Sequence, residues 1–292
     1  MFRKLAVSVG LLLLASSPLA AQTLVVESLV SPAWLERGGA REPLVAGAPL
    51  RDKDKVHTGA GARVLLRMAE GSAVKLGENG VLAIDNLLEK KRADATPVVS
   101  AALAVARGAF RFTTGVFGKQ RAERDVKIRI STVTAGIRGT DVWGKSESER
   151  DIVCLVEGNI AVEHGGQRFT MQEPLSFFIA PRAEKPQPVA PVSKDQLDQW
   201  VEETEIRAGS GAARKGASAA VEVLSTRDHG AATQSRDKLR VDGYPAEIET
   251  RRGSYDDEAY RVRIGALAAP EDARALAARL RASGFPDAKA AR

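Results

Sequence analysis

The chain has 292 residues, 44% of them hydrophobic and 27% charged, a balance that excludes wholesale disorder and a collagen-like fibre. Its 43 Lys and Arg against 37 Asp and Glu give a net charge of +6, and a single Cys excludes an internal disulfide or a multi-cysteine zinc site. With 5% aromatic content few rings are available to stack on nucleic-acid bases, and the length corresponds to about two domains, each able to bury its own core.

Arg3 and Lys4 precede an apolar run from Leu5 to Ala15, which Ser16, Ser17 and Pro18 break before the small residues Ala20 and Ala21. The run is shorter than the ~20 apolar residues that span a bilayer. Its layout is that of a cleaved secretory signal over residues 1–21, with retention as an uncleaved anchor the alternative. No Cys follows it to carry a lipid. The mature chain is expected in the periplasm, with no stable membrane span after processing.

Residues 22–180 hold many short alternating runs, among them Arg63 to Met68, Ala73 to Leu76, Gly108 to Phe112, Val126 to Ser131 and Ile160 to Glu163. Turn signals at Glu70-Gly71, Glu78-Asn79-Gly80, Glu157-Gly158-Asn159 and His164-Gly165-Gly166 fall between them. Short strands with regular turns predict an all-β domain, a sandwich or roll of antiparallel strands. The stretch from Ala93 to Pro97 has the least pattern and is expected to be a loop. Thr132-Val-Thr-Ala-Gly-Ile-Arg-Gly-Thr-Asp-Val142 with Val156-Glu-Gly-Asn-Ile-Ala-Val162 is similar to the FecR domain, although Val133 stands where that family has Pro. The resemblance covers about 45–180 and implies a periplasmic binding or scaffold role. The cytoplasmic anti-sigma segment of named members does not appear in the chain, so their signalling role does not transfer. Within this motif Gly139 allows a tight turn. Arg138 is a candidate anion site, the alternative being that Arg138 and Asp141 tie the turn to a neighbouring strand. Cys154 lies in a β-branched run, and in an oxidising compartment an unpaired thiol is expected to be buried as a small hydrophobe.

Residues 181–216 read as a linker. Pro181 to Pro191 contains four prolines, which favour an extended polyproline conformation. Ser193 can cap a short helix over 194–207 that carries Trp200 and is expected to dock on the first domain. The small residues from Ala208 to Ser218 are flexible in character. The mature chain's excess of basic residues falls in Arg207 to Arg292, with 16 basic against 12 acidic side chains, below the clustered stripe of a nucleic-acid binder.

The last part of the chain, 217–292, repeats itself at a spacing of 41 positions. Val221 matches Val262, Val223 matches Ile264, Ala232 matches Ala273, Leu239 matches Leu280, and Gly243-Tyr244-Pro245 matches Gly284-Phe285-Pro286. Each half reads as strand, helix, strand. The second helix opens at Pro270-Glu271-Asp272, its apolar stripe is Ala273, Leu276, Ala277 and Leu280, and Gly284 ends it. Ser235 stands where Leu276 stands, so the first helix is the weaker one. The order predicts a small ferredoxin-like α+β domain, two helices covering one face of a four-stranded antiparallel sheet.

Tyr260-Arg-Val-Arg-Ile-Gly265 and the helix after it resemble the SPOR domain, the sporulation-related repeat. That resemblance implies an open sheet face that binds peptidoglycan glycan strands, particularly those stripped of stem peptides at cell-division sites. Strand alternation places Arg261, Arg263, Glu247, Glu249 and Glu222 on that face, and Ser225 keeps a family residue. These six are the expected glycan-binding residues, with cross-strand ion pairing the competing role of the charged ones. The first strand departs from the family, with Glu222 in place of Gln, Leu224 of Gly and Thr226 of Phe.

His57, His164 and His229 are scattered, and no catalytic or nucleotide motif occurs. No catalytic residue, metal site or cofactor is therefore expected. The resemblances together imply a non-catalytic periplasmic adaptor that binds peptidoglycan through its tail, with an envelope protein as a further partner of the β domain and no nucleic acid. The alternatives are a wall-tethered envelope sensor and a wall hydrolase or its activator.

Overall fold

The computed structural model describes residues 24–91, 97–115, 123–137, 139–252 and 258–291. The expected signal segment 1–21, Arg138 and, apart from Pro97, the expected loop at Ala93 to Pro97 lie outside the described residues.

The N-terminal domain is all β. One sheet runs Ala190–Pro191, Ser176–Pro181, Arg150–Glu157, Asp141–Ser146, the end of Pro97–Thr113, Ala73–Leu76, Arg63–Met68 and Leu24–Val30. The other runs Ala40–Pro43, Ala33–Arg37, Lys55–Thr58, Val81–Lys91, the start of Pro97–Thr113, Glu123–Ile130, Val133–Ile137, Ile160–His164 and Gln167–Met171. Alternation decides what is buried. Val64, Leu66 and Met68 point into the core with Val126, Ile128 and Ile130, while Lys127 and Arg129 face solvent.

The strand Pro97–Thr113 is long and belongs to both sheets. At Gly108 (φ +89°) a Cβ would stand 2.6 Å from the Gly80 Cα, so only glycine lets the chain bend there. Having left the second sheet for the first, the chain re-enters the second beside its own starting strand. Glu123–Ile130 therefore pairs parallel with Val98 to Val105, the exception to the expected antiparallel order.

The linker region carries two short strands and a helix, and its small-residue segment holds a strand rather than being featureless. The proline stretch follows the edge of the first sheet, where the Gln187 N–H donates to Ile179 O at 3.0 Å and Ala190–Pro191 pairs with Ser176 and Phe177. An edge tolerates the missing proline donor. Helix α1, Lys194–Glu202, is shorter than the expected 194–207 and has Ser193 as its N-cap, the Ser193 hydroxyl accepting from the Gln196 N–H at 3.2 Å. It lays Trp200 flat on Trp143, with ring centroids 4.7 Å apart and planes 4° from parallel. That contact contributes about 0.5–1.5 kcal/mol beyond its burial. Beneath lies Cys154, fully buried, its thiol pushed up to about 12 by desolvation and so inert.

The small-residue segment then forms the strand Ala212–Arg214, which pairs with Leu24–Val30 on one side and meets Leu267 of the C-terminal domain on the other. The buried Asp272 carboxylate accepts from the N–H groups of Gly211 and Ala212, each at 3.0 Å. Glu205 joins Lys75 and, at 3.1 Å, Arg111 on the first sheet.

The C-terminal domain has the expected α+β architecture. Its sheet order is Ala246–Arg252, Glu258–Leu267, Ala219–Thr226, Lys289–Ala291, and helices α2, His229–Val241, and α3, Pro270–Ala282, pack on this sheet. The repeat holds in three dimensions. Leu239 and Leu280 are both fully buried, Gly243 and Gly284 both take positive φ (82° and 94°), and Tyr244 and Phe285 are equally buried after them.

Candidate functional site

The face of the C-terminal sheet away from the helices is built by period-two alternation on three long strands and one short one. Register places Lys289, Glu222, Arg263 and Glu247 in one row across the sheet, and Ser225, Arg261 and Glu249 in the next. All six expected residues therefore share one face. A bulge at Val223 keeps Glu222 and Ser225 on the same side although an odd number of positions separates them.

The charged side chains are knitted together. Arg263 donates to Glu249 at 2.8 Å, the diagonal neighbour rather than the residue directly opposite. Arg261 lies 3.5 Å from Glu222, Lys289 is 3.1 Å from the other Glu222 oxygen, and Arg251 is 3.2 Å from Glu249. Cross-strand pairing, the competing role, thus accounts for Arg261, Arg263, Glu222 and Glu249. The hydrogen bond from Arg263, aided by Arg251, holds the Glu249 carboxyl below its ordinary value.

Accessibility separates the six. Ser225 and Glu247 are exposed, and Arg261, Arg263 and Glu249 keep 31%, 26% and 38% of their side-chain surface. Glu222 keeps 11%, because Arg261 and Lys289 close over it. It holds those two cations in place more than it meets solvent. Lys289 and Arg251 are members of the face that sequence reasoning missed, though alternation along Ala246–Arg252 places Arg251 beside Glu249. Guanidinium forks, a seryl hydroxyl and carboxylate oxygens in two rows offer donors and acceptors at strand spacing, which suits a ligand rich in hydroxyl and amide groups. Among the described residues the face carries no aromatic ring. Tyr260 points the other way, its edge against His229 at 4.9 Å and its hydroxyl donating to Glu258 at 2.8 Å.

In the β domain the candidate anion site at Arg138 lies outside the described residues. Asp141, its expected partner in tying the turn, takes a two-pronged bond from Arg111 at 2.8 and 2.6 Å. The nearby glycine has a packing reason, since a Cβ on Gly158 would stand 2.5 Å from Gly139 O. The three histidines stay apart. His57 lies 2.9 Å from Glu36, and burial pushes its imidazole below the ordinary value against that carboxylate. Among the described residues no three His, Cys, Asp or Glu side chains converge as metal ligands, and no helix is long and apolar enough to cross a membrane.

Comparison with known proteins agrees with this layout. Residues 54–161 match the family described as FecR protein, and residues 215–290 match the SPOR domain. Two crystal structures of a candidate anti-sigma factor from Parabacteroides distasonis, at 1.65 and 2.50 Å resolution, are similar over 79% of this chain and 91% of theirs. Both share 12% identity with a TM-score of 0.39, a likeness on which nothing further rests. No curated protein matches the chain. The two matched families are not catalytic ones. The chain joins a FecR domain to a C-terminal SPOR domain through a linker of two short strands and a helix.

Proposed function

We propose that the protein is a non-catalytic periplasmic adaptor whose SPOR domain docks on peptidoglycan glycan strands while the FecR domain serves as scaffold or binding module. The observation that supports this most is the charged sheet face, where Ser225, Glu247, Glu249, Arg261 and Arg263 are accessible together. Glu222 acts there through Arg261 and Lys289. Opposite charges held in pairs keep the face close to neutral, which favours hydrogen bonding to sugar hydroxyls and acetamido groups over capture of polyanions. An envelope-signalling role is the second reading, favoured by the FecR match.

The test is retention of the full chain on intact and on amidase-treated sacculi. The expected result is retention that rises when stem peptides are removed and falls at least tenfold in the double variant Arg261→Ala, Arg263→Ala with native circular dichroism. Equal and negligible retention on both sacculi rejects the adaptor. Unchanged retention in the double variant rejects the assigned face.

A further inference from the structure

A second feature lies far from the SPOR face. Where the long strand bends at Gly108, the end of the first β sheet opens into a cleft of about 880 Å³, within the size range of small-molecule sites. Only Ala106 and Ala109 bring apolar side chains to it. Charged and polar side chains dominate the walls, which favours a hydrophilic ligand, and one or a few sugar units are accommodated.

The charges lining this cleft are unequally engaged. Its carboxylates are already satisfied. Glu147 and Glu203 hold Lys145 at 3.1 and 3.0 Å, Arg150 also binds Glu147 at 2.9 Å, and Glu78 accepts from the Gly61 N–H at 2.7 Å. These pairs keep Glu147 ionised. Burial alone would push its carboxyl up, but Arg150 and Lys145 bring it below the ordinary value. Arg182 is engaged at all three nitrogens, by the fully buried Asp151 at 3.2 Å, by Glu147 O at 2.8 Å and by the Ser131 hydroxyl at 3.0 Å, so it contributes charge to the cleft more than free donors. Arg63 stands 3.8 Å from Glu78, too far for a hydrogen bond, and donates from Nη1 to Ala62 O at 2.8 Å, which leaves its other nitrogens without a protein acceptor among the described residues. Arg107 is exposed and has no hydrogen-bond or ion-pair partner among the described residues. The charged donor left wholly uncommitted at the cleft is thus the Arg107 guanidinium, with the neutral Asn79 amide and Ser148 hydroxyl also on its lining, and the carboxylate walls that flank it are held by their own ion pairs before any ligand arrives.

We infer that this cleft binds a sugar-sized hydrophilic anion through one oxyanion group, a carboxylate or a phosphate, with Arg107 as the principal contact and Arg63 and Arg182 beside it. A planar guanidinium fork matches either oxyanion in a two-pronged bond. One wall, Glu203, directly follows α1, so the ligand would sit against the segment that leads to the SPOR domain. This places a small-molecule site in the FecR domain that is independent of wall binding.

The test is calorimetric titration of the full chain with glucuronate, glucose 6-phosphate and glucose. At least one of the two anions is expected to bind at least tenfold more tightly than glucose, and which one does so separates carboxylate from phosphate. Arg107→Ala should weaken that anion tenfold or more with melting temperature and circular dichroism unchanged, since Arg107 is exposed. Arg107→Lys should recover only part of the affinity. Absence of binding by both anions, equal binding of glucose, or an unaffected Arg107→Ala variant each overturns the inference. Sacculus retention depends on the other domain, so either reading can fail without the other.

Discussion

The two halves of the SPOR repeat share a fold but do not stabilise themselves in the same way. Helix α3 buries Ala273, Leu276, Ala277 and Leu280 against its own sheet, whereas α2 buries only Ala232 and Leu239. The first half is completed from outside. Trp34 of the FecR domain donates its indole N–H to Val241 O at 3.1 Å, and the Ala33 N–H reaches Gly243 O at the same distance. The indole packs so closely on Gly243 that a Cβ there would fall 2.6 Å from the ring, while a Cβ on the equivalent Gly284 would meet nothing within 4 Å. Charge divides the halves too, apart from Arg251 of the first half. The carboxylates of the open face, Glu222, Glu247 and Glu249, come from the first half, and Arg261, Arg263 and Lys289 from the second. The lesson is that the two copies of a duplicated unit can lean on different neighbours, the first on the β domain through Trp34 and Ala33, the second on the linker strand through Leu267 and Asp272.

Equivalent substitutions in the two halves should therefore have unequal effects. Leu276→Ala removes a side chain that is 1% exposed and should cost about 2–5 kcal/mol in urea unfolding. Ser235→Ala, at the matching position on the partly exposed side of α2, should stay within about 0.5 kcal/mol. Similar costs at both positions would break the comparison. At the glycines, Gly243→Ala should cost about 2–4 kcal/mol, combining positive φ with overpacking against Trp34, and Gly284→Ala about 1 kcal/mol from φ alone. In a double variant with Trp34→Ala, the Gly243→Ala cost should fall toward that of Gly284→Ala. A cost that stays the same would mean that the indole contact contributes nothing to the junction.

Legibility from sequence followed the range of the interactions. The strand alternation of Arg63–Met68, the apolar stripe of α3, the Ser193 cap and the paired glycines depend on residues within a few positions of one another. The shared face of Glu222, Glu247, Glu249, Arg261 and Arg263 was legible for the same reason, whereas Ser225 reaches it through the bulge at Val223, which alternation does not show. What was not legible depends on distant partners. Ala212 to Arg214 carry no strand signal, and they become a strand because Leu24–Val30 and Leu267 offer free edges and Asp272 satisfies the N–H groups of Gly211 and Ala212. Ala212 and Ala213 are small enough to be buried between the two domains. The parallel pairing of Glu123–Ile130 likewise follows from the long strand changing sheets at Gly108. The near burial of Glu222 required knowing that Lys289, from the last strand, would lie beside it. Sequence gives which face a side chain takes more readily than what lies over it.

The smallest expected effect tests the electrostatic side of the same comparison. Arg263 of the second half holds the first-half Glu249 carboxyl below its usual 4.5. Protonation therefore favours the unfolded chain, where that carboxyl titrates normally. The stabilisation is fully present above the ordinary carboxylate value and is lost as pH falls through the lower folded value. Melting curves of the wild type and Glu249→Gln should differ most at neutral pH, where the carboxyl is ionised in both states, and converge as the pH falls through its lowered folded value, with the wild type the more stable at the upper end. His57 and the other depressed carboxylates titrate alike in both proteins and cancel in the difference. Because the pair is solvent-accessible, added salt should shrink the gap at pH 7 as well. A gap independent of both pH and salt would show that Glu249 joins the halves by packing, leaving the division of charge between them without energetic weight.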